Sequence, residues 1–283
     1  MHADEVALAI AAAAREGWNP GLHDARTFPV ADPDGFLIAE VEGGFAGCIS
    51  AVSCAGRFGF IGLYIVQPAF RGRGIGWQLW TQGMARLQGQ VVGLDGVPAQ
   101  QDNYRKSGFV LAWRNARYAG RLGRVATKTP HVLPLTELGF GQLASDDARV
   151  FPAPREDFLR AWIAQPDAAA LGWLEDGVLR GWGVIRRCME GWKIGPLNAD
   201  APSVAEGLFD ALCARAGEGD TGEGDAGEGD AVFLDVPLPN ASAVALAEAH
   251  GMRVVFETAR MYKGPPPACE LQRVFGITTF ELG

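Results

Sequence analysis

The chain has 283 residues, 48% of them hydrophobic, and a formal net charge of −8, enough length and apolar content for two ordinary domains with their own cores. The acidic balance, with no basic stripe carrying interleaved aromatics, argues against a nucleic-acid partner. The early apolar run VALAIAAAA follows Asp4 and Glu5 and is too short to span a bilayer, so no signal peptide or membrane segment is expected and the reading is cytoplasmic.

In chain order, an Ala-rich helix is predicted over about residues 4–16, followed by the polar loop WNPGLHDARTF with a short helix inside it. Three strand-like runs come next, FLIAEVE (36–42), FAGCISAVSC (45–54) and FGFIGLYIVQP (58–68), joined at Gly43, Gly44 and Gly56 as an antiparallel meander. After the glycine stretch RGRGIG (71–76), Ile75, Leu79, Trp80, Met84 and Leu87 recur at helical spacing. VVGLD (91–95) reads as a buried strand, a short helix carries Tyr104, and FVLAWRNARYAG (109–120) reads as a last strand.

The glycine loop thus links the third meander strand to a helix. Successive amides in such a loop point at an anion, and the helix N-terminus adds about half a positive charge. Glycines at 72, 74 and 76 do not make GxGxxG, and no GK[ST] follows. Those spacings exclude a dinucleotide in a Rossmann cleft and ATP in a Walker loop.

The stretch Val66-Gln67-Pro68-Ala69-Phe70-Arg71-Gly72-Arg73-Gly74-Ile75-Gly76, followed by YRKSGF (104–109), resembles the GNAT superfamily of acyl-CoA-dependent N-acetyltransferases, whose motif is V-x-P, then R/Q-x-x-G-x-G/A. The resemblance implies an α+β fold: two tandem GNAT-like domains, each a mostly antiparallel twisted sheet flanked by helices. It implies that acetyl-CoA is the acyl donor, its pyrophosphate on the amides of residues 71–76 with Arg71 and Arg73 adding charge, and its pantetheine along Ile65 and Val66. A main-chain amide of that strand is then expected to polarise the acetyl carbonyl. Tyr104 matches the family tyrosine that protonates the departing thiolate. No metal is implied.

The general base stays open. Many superfamily members carry a carboxylate on the strand before the loop, and FGFIGLYIV has none. Candidates are Asp24, His23, Glu40, Glu42 and Asp95, or solvent through ordered waters. EGWNPG (16–21) also resembles a motif of the bacterial tandem-domain subgroup, and Trp18, Asn19 and Asp24 are the acceptor-site candidates. An aromatic and an amide on a loop suit recognition of a small amine.

The second half repeats the first in weaker form. LDGVPAQQDNYRKSGFVLAWRNARYAG (94–120) and LDVPLPNASAVALAEAHGMRVVFETARMYKG (234–264) each begin Leu-Asp, and Arg117 and Arg260 each lie nine residues beyond a glycine, Gly108 and Gly251. LGWLED (171–176) and LRGWGVIRRCMEGWKIGPL (179–197) read as the second meander, with Trp182 and Trp192 candidates for an interdomain cleft. The counterpart of the glycine loop, GPLNADAPSVAEG (195–207), lacks R-x-x-G-x-G, so a catalytic unit over 1–124 and a degenerate unit over 125–283 that does not bind CoA are expected.

Residues 1–122 hold 11 Lys+Arg against 10 Asp+Glu, and the remainder holds 14 against 23. Six of those acids lie in GEGDTGEGDAGEGD (217–230), read as a flexible solvated insertion because it cannot bury apolar surface. Its spacing fits neither an EF-hand nor an RTX calcium repeat. The five cysteines show no metal-ligand spacing and read as small buried hydrophobes. The function expected from the resemblance is acetyl transfer to a primary amine of a small molecule. A peptide or protein acetyltransferase and a non-catalytic acyl-CoA sensor are the alternatives.

Overall fold

The computed structural model describes residues 1, 3–121, 130–218 and 230–283. The expected unit boundary at 124 and most of the acidic repeat lie outside the described residues. Of that repeat, Gly217 and Glu218 end a helix, and Asp230 bonds to Arg187 and Trp192.

The first half runs α1 (Ala3–Arg15), α2 (Asp24–Ala31), β1 (Phe36–Val41), β2 (Gly44–Cys54), β3 (Phe58–Val66), α3 (Ile75–Arg86), β4 (Val91–Gly96), α4 (Gln101–Lys106) and β5 (Val110–Arg121). The second half runs β6 (Val132–Pro134), α5 (Phe140–Val150), α6 (Glu156–Ile163), β7 (Ala168–Glu175), β8 (Val178–Arg187), β9 (Trp192–Ala199), α7 (Pro202–Glu218), β10 (Ala231–Pro237), α8 (Ala241–Ala249), β11 (Arg253–Lys263) and β12 (Val274–Gly276). Apart from β6 and β12, the second half repeats the element order of the first. The stretch 179–197, read as one run, folds as the hairpin β8–β9.

The two expected sheets fuse into one. Its order is β1-β2-β3-β4-β11-β5-β10-β9-β8-β7-β6, with β12 on β9. β5 and β11 have exchanged places: β11 pairs with β4, β5 pairs with β10, and the two pair with each other between the halves. The repeated Leu-Asp and Arg positions explain what holds the exchange. Arg260 on β11 makes a two-pronged ion pair with Asp95 on β4 (2.7 and 2.6 Å), and Arg117 on β5 makes its mirror image with Asp235 on β10 (2.6 and 2.8 Å). All four side chains are buried.

Removing one partner of such a pair leaves a buried charge alone, at a cost of about 3–5 kcal/mol. Asp235→Ala is therefore expected to lower the melting temperature by several degrees. A variant that melts with the wild type would remove this pair from the forces holding the exchanged strands.

Helix α1 buries Val6, Ala9, Ile10 and Ala13, spaced along one face, against β3. That core extends without a break into the second half, where Phe158, Trp162 and Trp182 join it. Phe28 of α2 stacks on Trp162 of α6 at 6.2 Å. Trp182 is a core residue whose Nε1 donates to Asp146 (3.0 Å), and Trp192 packs under Arg187. Neither lines the cavity described below. Among the described residues no helix is long and apolar enough to cross a membrane.

Candidate active site

β3 and β4 pair only as far as Ile61 and Leu94; beyond them β4 keeps its pairing to β11 through Asp95 and Gly96 while it parts from β3. The gap opens into a cavity of about 390 Å³. One wall is β3 from Ile61 to Val66, and the opposite wall is the end of β4 with Tyr104. Glu16 and Trp18 come from the segment after α1, and Phe256, Thr258, Phe280 and Glu281 come from the second half of the chain. The strand exchange is what brings β11 there.

The β3 wall is irregular. Cys48 pairs with Ile65 and Ser50 with Gly62, so Leu63 and Tyr64 together oppose Ile49 in a bulge. Leu63 sits at φ +45°, a left-handed conformation that a leucine rarely adopts. Bulges of this kind re-aim backbone groups beside functional sites.

The glycine loop adjoins the cavity through Arg71. Gly72 and Gly74 have φ of +76° and +82°, and a Cβ on either would meet nothing within 4 Å. Gly76 serves packing instead, because its Cβ would lie 2.9 Å from the Tyr64 hydroxyl. Among the described residues, no acceptor takes the amides of Gly72 through Trp77. An uninterrupted run of free donors at a helix start is a cradle for an anion. Arg71 is held along the surface: its Nε donates to the Val66 carbonyl (2.8 Å) and its Nη2 to Glu16 (2.6 Å), tying the end of β3 to the segment after α1. Arg73 lies over the Phe70 ring.

Tyr104 lies in an aromatic row, Trp80 between it and Tyr64 with both centroids at 5.5 Å. Its ring occupies the space a side chain at Gly96 would need. Among the described residues its hydroxyl has no hydrogen-bond partner, and burial pushes the phenol well above its ordinary pKa. It is therefore protonated across the neutral range and able to donate.

The other expected residues divide. Ile65, Val66 and Trp18 line the cavity, and the Trp18 carbonyl accepts from Arg117 (2.6 Å). Asn19 does not line it: its amide bridges Glu190 in both directions at 2.9 Å, and its carbonyl accepts from Lys193 at 2.7 Å. Asp24 is also elsewhere, buried against Arg186 of β8. His23 pairs with Asp167 at the surface, and Glu40 and Glu42 are exposed on the outer hairpin. Asp95 does reach the cavity, yet its carboxylate is held by Arg260 and by Asn115 (2.8 Å). Burial raises the thiol pKa of Cys54 to about 11 and of Cys48 to about 12, which keeps both uncharged. Among the described residues no group of three His, Cys, Asp or Glu could hold a metal ion.

The equivalent gap in the second half is filled. β9 and β10 pair from Trp192 to Ile194 and then part as β3 and β4 do, but β12 enters the space, pairing with β9 at Leu197 and Asn198 while the Ile277 amide donates to the Asp235 carbonyl (2.9 Å). The same Ile-Gly pair stands where each gap begins, Ile61-Gly62 and Ile194-Gly195. A Cβ on Gly195 would come within 2.5 Å of the Thr278 carbonyl, and one on Gly62 would overlap the Glu281 carbonyl. The last residues therefore cross from one gap to the other, buried throughout. The glycine loop has no counterpart here, since only Asp200 and Ala201 connect β9 to α7 where residues 67–74 connect β3 to α3.

Residues 5–109 match the acetyltransferase (GNAT) family, and residues 144–276 match a second acetyltransferase (GNAT) domain. The chain is similar to holothin acyltransferase of Pseudoalteromonas sp. (strain SANK 73390), 28% identical over 271 residues, 95% of this chain and 88% of that protein. A solved structure from Pyrococcus horikoshii has the same fold, with a TM-score of 0.80 at 21% identity, covering 100% of this chain and 94% of that one. A tandem GNAT protein from the clavulanic acid biosynthesis pathway superposes with a TM-score of 0.62 at 12% identity, covering 94% and 98%. The protein is a tandem GNAT acyltransferase.

Proposed function

We propose that the chain transfers an acetyl group from acetyl-CoA to the primary amine of a small molecule. The observation that carries this reading is the run of unpaired amides from Gly72 to Trp77 beside a cavity that ends at the unpartnered Tyr104 hydroxyl. The amides suit a pyrophosphate, and the gap between β3 and β4 suits an extended arm lying along Ile65 and Val66. The bulge at Leu63 supports an oxyanion-type contact from the strand backbone to the thioester carbonyl.

In the reaction the amine nitrogen forms a bond to the carbonyl carbon, the carbon–sulfur bond breaks, and one proton passes from nitrogen to sulfur overall. Tyr104 gives the thiolate its proton. Trp18, Phe256 and Phe280 offer apolar and aromatic surface for the body of the acceptor. Release of free thiol from acetyl-CoA, measured across a panel of small amines and short peptides, tests the reading. Small-amine turnover above hydrolysis is expected; binding without turnover on any acceptor would favour a sensor.

A further inference from the structure

We propose that Glu281, carried into the cavity by the C-terminal tail, is the general base that takes the proton from the acceptor amine. The proposal rests on the acyl-transfer reading above. Glu281 lines the cavity opposite β4 although its residue exposure is only 6%. Among the described residues no donor hydrogen-bonds to its carboxylate, and its oxygens are not among the enclosed side-chain atoms left without partners, such as those of Ser50 and Asn198. The carboxylate is therefore not fully sealed off, and Glu281 is one of the residues that line the cavity.

The other carboxylates nearby are occupied. Asp95 is bound by Arg260 and Asn115, Asp235 by Arg117, Asp24 by Arg186, and Glu16 by Arg71. The charged groups facing Glu281 are Lys193 of β9, Arg117 of β5 and Arg186 of β8, whose positive charge favours the carboxylate, and Asp24 and Asp235, which oppose it. Burial outweighs them and leaves the carboxyl above its ordinary value. Glu16, Asp95, Arg71 and the phenols of Tyr64 and Tyr104 complete the ionisable lining. A carboxylate so placed accepts one proton as the carbon–nitrogen bond forms and returns it to solvent, while Tyr104 supplies the proton to sulfur. The tail thus does two things: its first part fills the idle gap, and its end equips the working one.

The test is Glu281→Gln in the full chain, with Glu281→Asp beside it. Turnover of the glutamine variant is expected to fall by about 10²–10⁴, with acetyl-CoA affinity by calorimetry within a few-fold. The wild-type rate should rise with pH through an ionisation above the usual glutamate range; that limb should be absent with glutamine and present, at lower rate, with aspartate. A buried carboxyl with a raised pKa contributes stability that is lost as pH rises through its folded pKa, so the melting temperature of Glu281→Gln at pH 8 should be no lower than wild type. Wild-type turnover in the glutamine variant overturns the assignment alone. So does a glutamine variant that melts several degrees lower and loses acetyl-CoA affinity, which would make Glu281 a charge partner of Lys193 and Arg117. A wild type inert with every amine contradicts the acyl-transfer reading and the assignment with it.

Discussion

Gly74→Val is expected to weaken CoA binding by at least about a hundredfold, the loss of two charge-assisted contacts of roughly 1.5–3 kcal/mol each. Gly74 holds φ at +82° immediately before α3, and the space where its Cβ would project is open. A branched side chain there fills the mouth of the cradle and draws the backbone away from the left-handed region, which turns the amides of Arg73 to Gly76 off their common centre. The local strain costs about 1–2 kcal/mol, small beside a sheet held by two buried ion pairs, so the circular dichroism spectrum should be unchanged. Unaltered CoA affinity in a normally folded variant would show that the loop is a turn and no more.

Tyr104→Phe is expected to lower turnover by about 10²–10⁴ while acetyl-CoA affinity stays within a few-fold. The ring is fixed by Trp80 and by the absence of a side chain at Gly96, and phenylalanine preserves both contacts. Only the hydroxyl goes. A general acid works while protonated, and burial raises this phenol, so the wild-type rate should decline only at high pH and that decline should shift in the variant. Single-turnover rates are the proper comparison, because product release can mask a slower transfer. A phenylalanine variant with the wild-type single-turnover rate would make Tyr104 a packing residue.

Much of the first half was legible because its signals are local. The meander, the glycine loop and the short helix of Tyr104 each depend on residues close in sequence, and periodicity with turn chemistry places them. The repeated Leu-Asp and Arg positions were visible as a duplication, but not as an exchange. Asp95 finds Arg260, and Arg117 finds Asp235, more than a hundred residues away, and which copy pairs with which is decided by topology. Asn19 and Asp24 have side chains suited to an acceptor site; Glu190 and Arg186, reaching over from the other half, claim them first. Glu281 gave no signal of its own. It stands in the ending GITTFELG, and nothing in that string reveals that the tail leaves one gap and enters the other.

One gap of the duplicated chain is open and the other is filled, and calorimetric titration of acetyl-CoA into the full protein reads that directly. One molecule per chain is the predicted stoichiometry, reduced to no detectable binding by Gly74→Val. Two molecules per chain would place a coenzyme where β12 now lies, and one that persists unchanged in Gly74→Val would take the coenzyme off the glycine loop; either result contradicts the account.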